Sequence, residues 1–175
     1  LGMAGEQAYR VPSLSMPDPK HAHTAATIAP FEAVQLFAGR ALLGRPDFRV
    51  TDQNASALAS ICHRLDGIPL AIELAAARVR SLSVEQIGGK LDQRFRLLTG
   101  GSRTALPRQQ TLRSLIDWSY DLLDDWERRL LQRLSVFVGG WTLASATRVA
   151  GEQLDEYAVL DVLTRLVEQS LVTTN

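Results

Sequence analysis

The sequence lacks the features that define secreted, membrane-spanning and disulfide-stapled proteins. Its 175 residues include one cysteine, Cys62, so an internal disulfide is excluded and a reducing compartment is favoured. No apolar run reaches the roughly 18 residues that a membrane span requires, and no charged segment followed by an apolar one resembles a secretory signal. We therefore expect a cytoplasmic protein that does not interact with membranes.

Motifs for independent catalysis are also lacking. Gly39 and Gly44 have the glycine spacing of a phosphate-binding loop, but Arg45 and Pro46 stand where that motif needs Lys and Ser or Thr. The histidines and Cys62 match no zinc-ligand spacing, and no serine lies in a nucleophile elbow. The sequence thus predicts no catalytic residue and no metal site, and we do not expect the chain to be an enzyme by itself.

Zero net charge conceals a separation of charge along the chain. Residues 1–65 carry 6 basic and 5 acidic side chains, residues 66–113 carry 8 and 4, and residues 114–175 carry 5 and 10, which gives +1, +4 and −5. Phosphate binding needs a basic surface, so the C-terminal third is poorly suited to nucleic acid. For the basic middle segment two interpretations stay open: it complements the acidic third or another domain, or its arginines lie on ordinary solvated helix faces.

Apolar spacing predicts a mainly α fold. A helix is predicted in each of eight segments, which are 30–43, 52–65, 70–80, 83–98, 112–123, 124–137, 143–150 and 155–169. Capping boxes are expected at Ser83 with Gln86 and at Asp124 with Glu127. Trp126 is assigned to the core-facing side of its helix, and the last residues, 171–175, look like a strand.

Proline, glycine and serine mark the predicted domain boundaries. Residues 1–29 are interpreted as an extended lead-in, 30–98 as a helical bundle subdomain, 99–110 as a linker and 111–175 as a winged-helix-like subdomain. Three helices followed by a strand is the order of a winged helix-turn-helix, here truncated before its wing returns. Because the chain starts without a methionine, we expect it to be a fragment of a larger protein.

Four segments resemble a known family. Ile61 to Ala76, which contains Gly67-Ile68-Pro69-Leu70, resembles the C-x-G-L-P-L-A signature of the NB-ARC/STAND signalling ATPases, with Ile68 in place of the usual leucine. Residues 30–37 resemble the E-A-x-x-L-F helix of that family. Residues 108–123 and 134–142 resemble segments of its actinobacterial branch, the large transcriptional regulators of the LuxR and AfsR kind.

The resemblance implies a regulatory role in a larger ATPase. The chain would supply the helical and winged-helix parts, which close over ADP or ATP held by a missing P-loop domain and couple nucleotide state to conformation. ATP and ADP would then be ligands of the full-length protein and not of this fragment, which lacks the Walker motifs. By the match, the residues on the adenine side of the nucleotide would be Gly67, Ile68, Pro69, Leu70 and Pro12, with Val11 and Leu14 beside them.

The residues alone leave other interpretations open. Asp66 to Pro69 could simply end one helix and begin the next. A stand-alone DNA-binding winged helix and a helical protein–protein scaffold are alternative functions. Against the DNA-binding alternative, the outward positions of helix 155–169 include Glu156, Asp161, Glu168 and Gln169, with Arg165 as the one basic residue. DNA readout favours Arg, Lys, Asn or Gln at such positions. We therefore expect no measurable affinity for random duplex DNA at physiological salt. The expected partners are the missing P-loop domain and other domains or subunits of the regulator.

Overall fold

The described part of the chain is almost entirely helical. The computed structural model describes residues 11–21, 23–98, 107–151 and 154–174, and no β-strand occurs among them. The mainly α fold predicted from apolar spacing is confirmed. The helices, in chain order, are α1 (Ala25–Ile28), α2 (Glu32–Gly44), α3 (Asp52–Arg64), α4 (Pro69–Ala76), a 3₁₀ turn (Ala77–Arg80), α5 (Val84–Leu98), α6 (Pro107–Asp121), α7 (Asp125–Leu134), α8 (Leu143–Ala150) and α9 (Glu156–Glu168).

Side-chain caps fix where several helices begin. The backbone N–H of Ser83 donates to Gln86 Oε1 at 2.9 Å, and the N–H of Gln86 donates to Ser83 Oγ at 3.2 Å. The reciprocal pair at α7 joins Asp124 and Glu127 at 2.9 and 2.8 Å. Both predicted capping boxes are confirmed. Each satisfies backbone N–H groups that the first turn of a helix leaves without a partner.

A first hydrophobic core joins α1 to α6. Phe37 of α2, Leu58 of α3, Ile72 of α4 and Ile87 of α5 are fully buried in it. Helix α6 packs against α4 and α5 and contributes Trp118. The apolar run of α4 from residue 71 onward is explained by this position, since a helix packed between others buries most of its surface.

A second, smaller core belongs to α7, α8 and α9. These three helices pack chiefly on one another. The second core consists of Leu123, Leu130, Leu134, Ala146, Ala150, Val159, Val162, Leu163 and Leu166. Leu171, which follows α9, packs against both cores.

Two details of the sequence prediction are wrong. Residues 171–174 do not form a strand, because a strand needs a hydrogen-bonded neighbour and none exists in the described part of the chain. Trp126, assigned to the core, is 41% exposed, and the guanidinium carbon of Arg129 lies 5.5 Å from its ring centroid. An amphipathic side chain at the first turn of a helix can cover the surface in this way without entering the core.

The domain boundaries stay a prediction. Residues 1–10 of the lead-in and 99–106 of the predicted linker lie outside the described residues. Residues 107–110, also assigned to the linker, form the first turn of α6.

Of the helices in the described ranges, none combines the length and the apolar character needed to cross a bilayer.

Candidate functional site

The structure contains two candidate sites, one at each hydrophobic core. The first is the turn between α3 and α4. After α3 ends, Asp66 and Gly67 both have positive φ, at 53° and 60°. The N–H groups of Asp66 and Gly67 bond to the carbonyls of His63 and Cys62, at 3.0 and 3.3 Å, which is the Schellman pattern of a helix C-terminus.

Glycine is favoured at position 67 by its positive φ, and a close approach of the lead-in segment is a second reason for glycine there. Its carbonyl accepts a hydrogen bond from the N–H of Leu14 at 3.0 Å, so the lead-in segment is fastened to this turn. A Cβ atom at Gly67 would lie 2.5 Å from the Leu14 carbonyl oxygen and 3.1 Å from Ser13 Cβ. The close backbone approach therefore leaves no room for a side chain.

The predicted nucleotide residues lie on the two segments that the Leu14–Gly67 hydrogen bond joins. Pro69 occupies the first turn of α4 and is exposed, Leu70 is 42% exposed, and Ile68 is half-buried against the first core. Pro12, also exposed, precedes Leu14 by two residues. The two segments that meet here thus leave apolar side chains open to solvent, but their role in binding a nucleotide stays a prediction.

The cysteine of α3 is unsuited to chemistry. Cys62 is fully buried in the first core, and this burial raises the pKa of its thiol to about 12. Because the thiolate is the reactive and metal-binding form, such a thiol is inert near neutral pH. Within the described residues, His, Cys, Asp and Glu side chains form no group suited to a metal ion.

The second candidate site is the unit formed by α7, α8 and α9. Helix α8 ends at Gly151, whose φ is 83°, and α9 begins after Asp155, whose carboxylate accepts from the Ala158 N–H at 2.8 Å. Residues 152 and 153 of the connection lie outside the described residues, but α8 and α9 pack on each other and on α7, as the helices of a helix-turn-helix do. The outward residues of α9 are Glu156, Tyr157, Leu160, Asp161, Thr164, Arg165 and Glu168.

Three arginines lie on α7 and in the last turn of α8. Arg133 of α7 donates to the carbonyls of Val149 and Ala150, so its guanidinium caps the C-terminus of α8. Arg129, one turn earlier on α7, is exposed and lines a small pocket together with Arg133. Arg148 is exposed in the last turn of α8. We call these three side chains, two on α7 and one on α8, the arginine rim; the net charge of the segment conceals them.

Arg165 of α9 is engaged with carboxylates of its own unit. Its Nε donates to Glu127 Oε1 at 3.0 Å, and its Nη2 lies 3.6 Å from Asp124 Oδ2. Glu127 is itself buried, with 4% of its surface exposed. The outward face of α9 is therefore acidic, as the sequence predicted.

Comparison with known proteins identifies the type of the second unit. Residues 123–175 match the family model of a winged helix-turn-helix domain. This range starts at the first residue of the second core and includes α7, α8 and α9. No solved structure gave a significant match.

The whole chain is similar to segments of longer mycobacterial proteins. It is 52% identical over 176 aligned positions to a Mycobacterium tuberculosis protein named "Putative HTH-type transcriptional regulator", and to a Mycobacterium bovis protein of the same name; the match covers 100% of this chain and 18% of each relative. A second Mycobacterium tuberculosis protein, uncharacterized, is 40% identical over 174 positions, covering 98% of the chain and 41% of that protein. The chain thus spans less than a fifth of the length of the named regulators. The expected resemblance to NB-ARC/STAND ATPases is supported by neither finding and stays a prediction.

These findings correct the expectation that the chain does not bind nucleic acid directly. The winged helix-turn-helix match and the names of the relatives point to DNA binding. The sequence argument relied on the net charge of residues 114–175 and on the residues of α9. A charge summed over one segment is a weak guide, because phosphate contacts in such units come from several elements.

Proposed function

We propose that this chain is a regulatory segment of an HTH-type transcriptional regulator, and that residues 123–175 bind duplex DNA. The observation that carries the proposal is the match of this range to a winged helix-turn-helix domain, together with the α8–turn–α9 arrangement. In such units the N-terminal part of the second helix enters the major groove, and neighbouring elements contact phosphates.

The arginine rim supplies the phosphate contacts in this proposal. Arg129 and Arg148 are exposed next to the α8–α9 turn, and no ion pair within the described residues neutralises either of them. Arg133 is already bonded to the end of α8 and would position that helix end. Because phosphate contacts give most of the non-specific affinity, the rim sets the salt dependence of binding.

Near its N-terminus, α9 offers side chains for base edges. Tyr157 is 82% exposed and Leu160 is 45% exposed, while Thr164 lies one turn further along. Apolar side chains contact the thymine methyl group, and a hydroxyl serves as donor or acceptor. The acidic neighbours Glu156 and Asp161 disfavour phosphates directly beside the helix, which leaves phosphate binding to the rim.

The test is the salt dependence of binding in rim variants. Fluorescence anisotropy with a labelled duplex of random sequence is measured from low to moderate salt for the wild type and for the double variant Arg129→Gln/Arg148→Gln. Each lost phosphate contact lowers the slope of log affinity against log salt by about 0.9, so the double variant loses about 1.8. Arg45→Gln, an exposed arginine on the first core, is the matched control and leaves the slope unchanged.

Equal slopes in the wild type and in the double variant would contradict the role of the rim. No binding by the wild type at low salt, up to about 100 μM protein, would contradict DNA binding altogether, since non-specific affinities lie near 10⁻⁴ to 10⁻⁶ M even at physiological salt.

A second candidate function concerns the Gly67 turn. We propose that this turn meets the base of ADP or ATP bound to a P-loop domain of the longer protein. Its support is the exposed apolar surface of Val11, Pro12, Pro69 and Leu70 at a turn whose backbone is rigidly held. A flat apolar ring such as that of Pro69 suits one face of an adenine. The described residues of this chain supply the base side alone.

This second candidate is tested in the full-length protein. Pro69→Ala removes the ring while keeping a helix-compatible residue, and we expect ADP to bind more weakly in an equilibrium titration. Pro46→Ala, in the loop after α2, is the control. Unchanged ADP affinity in Pro69→Ala would refute the contact.

A further inference from the structure

Arg165 and Gln169, the two side chains of the α9 segment best suited to reading purine bases, are both bonded to α7. Arg165 Nε donates to Glu127 Oε1 at 3.0 Å. Gln169 Nε2 donates to the same oxygen at 3.1 Å. Since arginine is the usual reader of guanine and glutamine of adenine, Glu127 engages inside the protein the groups that would otherwise read these bases.

Further bonds hold the two side chains in place. Arg165 Nη2 lies 3.6 Å from Asp124 Oδ2. Gln169 Oε1 accepts from Arg78 Nη1 at 2.9 Å. Glu127 is 4% exposed, and its second oxygen, Oε2, accepts from the Asp124 N–H in the capping box of α7. Because a buried carboxylate that loses its donors is costly, these bonds oppose the release of Arg165 or Gln169 to a DNA base.

The polar atoms that remain on the outward side of α9 are mostly hydrogen-bond acceptors. Glu156 and Asp161 are exposed carboxylates, which accept and do not donate when ionised. The hydroxyl of Thr164 donates to the Leu160 carbonyl at 2.8 Å, so its remaining capacity is that of an acceptor. Tyr157, which is 82% exposed, is the outward side chain whose O–H can donate.

Acceptors on a reading helix select bases that present donors. In the major groove the donors are the amino groups of cytosine, at N4, and of adenine, at N6, whereas guanine presents the acceptors N7 and O6. Thymine presents O4 and a methyl group, which suit the hydroxyl of Tyr157 and the exposed apolar surface of Tyr157 and Leu160. A guanine edge beside Asp161 or Glu156 would instead place acceptors against acceptors.

We propose that α9 reads DNA through thymine methyl groups and through the amino groups of cytosine and adenine, and that it makes no contact with the major-groove edge of guanine. Glu127 is then a positioning residue, because it withholds Arg165 and Gln169 from the bases. This inference rests on the proposed DNA binding by residues 123–175, and it names the class of sequence that the site prefers.

Base analogues test this preference with the wild-type chain. The sequence that the chain enriches from random duplex DNA is the parent duplex. It is rebuilt with deoxyuridine at every thymine, which removes the methyl groups, or with 7-deazaguanine at every guanine, which removes N7. Burial of one methyl group is worth about 0.8 kcal/mol, so each contacted thymine that loses its methyl group weakens binding about fourfold. The 7-deazaguanine duplex should bind as tightly as the parent duplex.

An apolar truncation checks which side chain meets the methyl group. Leu160→Ala should weaken binding of the parent duplex and reduce the difference in affinity between the thymine and deoxyuridine duplexes. Arg165→Met keeps much of the length of the side chain and should leave that difference as in the wild type, because Arg165 does not touch the bases.

A change at Glu127 tests the withholding of Arg165. Glu127→Gln keeps a residue that serves in the capping box of α7 but removes the charged acceptor that Arg165 and Gln169 share. We expect the released arginine to contact guanine, so that 7-deazaguanine weakens binding in this variant. The double variant Glu127→Gln/Arg165→Met should lose that sensitivity, which a general loss of structure would not produce. Circular dichroism verifies that the helices of each variant are retained.

Weaker wild-type binding of the 7-deazaguanine duplex, or unchanged binding of the deoxyuridine duplex, would overturn the inference. Binding of random duplex DNA without enrichment of a thymine-containing sequence would overturn it too, while the proposed DNA binding would stand. No binding of any duplex would refute both. The wild-type comparison needs no variant, so it decides the question even if Glu127→Gln does not fold.

Discussion

The replacement of Gly67 by alanine tests the account of the α3–α4 turn most sharply. With φ at 60°, an alanine here adopts a left-handed conformation that costs roughly 1–2 kcal/mol for a residue with a Cβ. The new Cβ would also lie 2.5 Å from the Leu14 carbonyl oxygen, so the lead-in segment must move away. Loss of the Leu14–Gly67 hydrogen bond adds about 1 kcal/mol.

We therefore expect Gly67→Ala to lower the free energy of unfolding by about 2–3 kcal/mol. Gly39→Ala is the matched control, because Gly39 is exposed inside α2 and a Cβ there would meet nothing within 4 Å. That change stabilises a helix by about 1 kcal/mol. Urea denaturation followed by circular dichroism gives both values, and the two variants should shift the midpoint in opposite directions.

A midpoint for Gly67→Ala equal to that of the wild type would refute the reasoning. It would mean that the lead-in is not fastened to this turn and that the left-handed conformation is not required there. A loss of stability in Gly39→Ala as large as that in Gly67→Ala would contradict the argument as well, since alanine would then be harmful regardless of local geometry.

Four further predictions concern the cores. Burial raises the pKa of Cys62 from 9.0 to about 12, so its thiolate fraction at pH 8 falls by about 1000-fold. A disulfide reagent should therefore react with Cys62 as fast as with an ordinary exposed thiol only after the chain unfolds. Rapid modification of the folded chain would contradict this. The same raised pKa contributes stability that is complete below pH 9 and is lost as pH rises toward 12. Thermal unfolding at pH 8 and pH 10 should therefore show a larger loss of stability between the two pH values in the wild type than in Cys62→Ala, and equal losses would contradict this. Glu127→Ala removes a buried carboxylate to which three groups donate, and it should cost about 2–3 kcal/mol. Asp125→Ala, at an exposed position two residues earlier, should cost under about 0.5 kcal/mol, and equal denaturation midpoints would refute the difference. Trp118→Ala should cost about 3–5 kcal/mol and Trp126→Ala about 1 kcal/mol or less, since Trp118 is 4% exposed and Trp126 is 41% exposed, and a reversed order would contradict the assignment of the cores.

Local features of the fold were predictable because their causes are local. The capping boxes at Ser83 and Asp124 depend on residues three positions apart, and helical periodicity is a property of a short window. Pro69 at the start of α4 follows from the same logic, since proline suits a first turn. Helix α1 was missed because its four residues are too few for a periodic pattern, although Thr24 and Thr27 form a capping box there.

Long-range features were not predictable in the same way. Arg78 and Glu168 are ninety positions apart along the chain. The packing of the end of α9 beside the 3₁₀ turn brings Arg78 into contact with Gln169 and Arg80 into contact with Glu168. Of the two interpretations left open for the basic middle segment, complementing the acidic third is confirmed for Arg78 and Arg80, while the side chains of Arg94 and Arg96 lie outside the description.

The candidate DNA interface shows why segment charge misleads. Residues 114–175 are acidic as a whole, yet they carry Arg129 and Arg133 on α7 and Arg148 on α8, two helices that pack on each other. Arg165, the basic residue of α9, is paired with Glu127 although it lies on the outward side of the helix. A sum over the segment counts both kinds of arginine equally, whereas their positions in the fold decide which ones can meet a phosphate.

The measurement that tests the central claim most directly is selection of bound sequences from a pool of random duplex DNA by the purified chain. We predict that successive rounds enrich a defined sequence, that this sequence binds more tightly than the starting pool, and that Arg129→Gln/Arg148→Gln weakens binding to both. A pool that stays unenriched, together with no anisotropy change at low salt, would contradict the conclusion that residues 123–175 bind DNA.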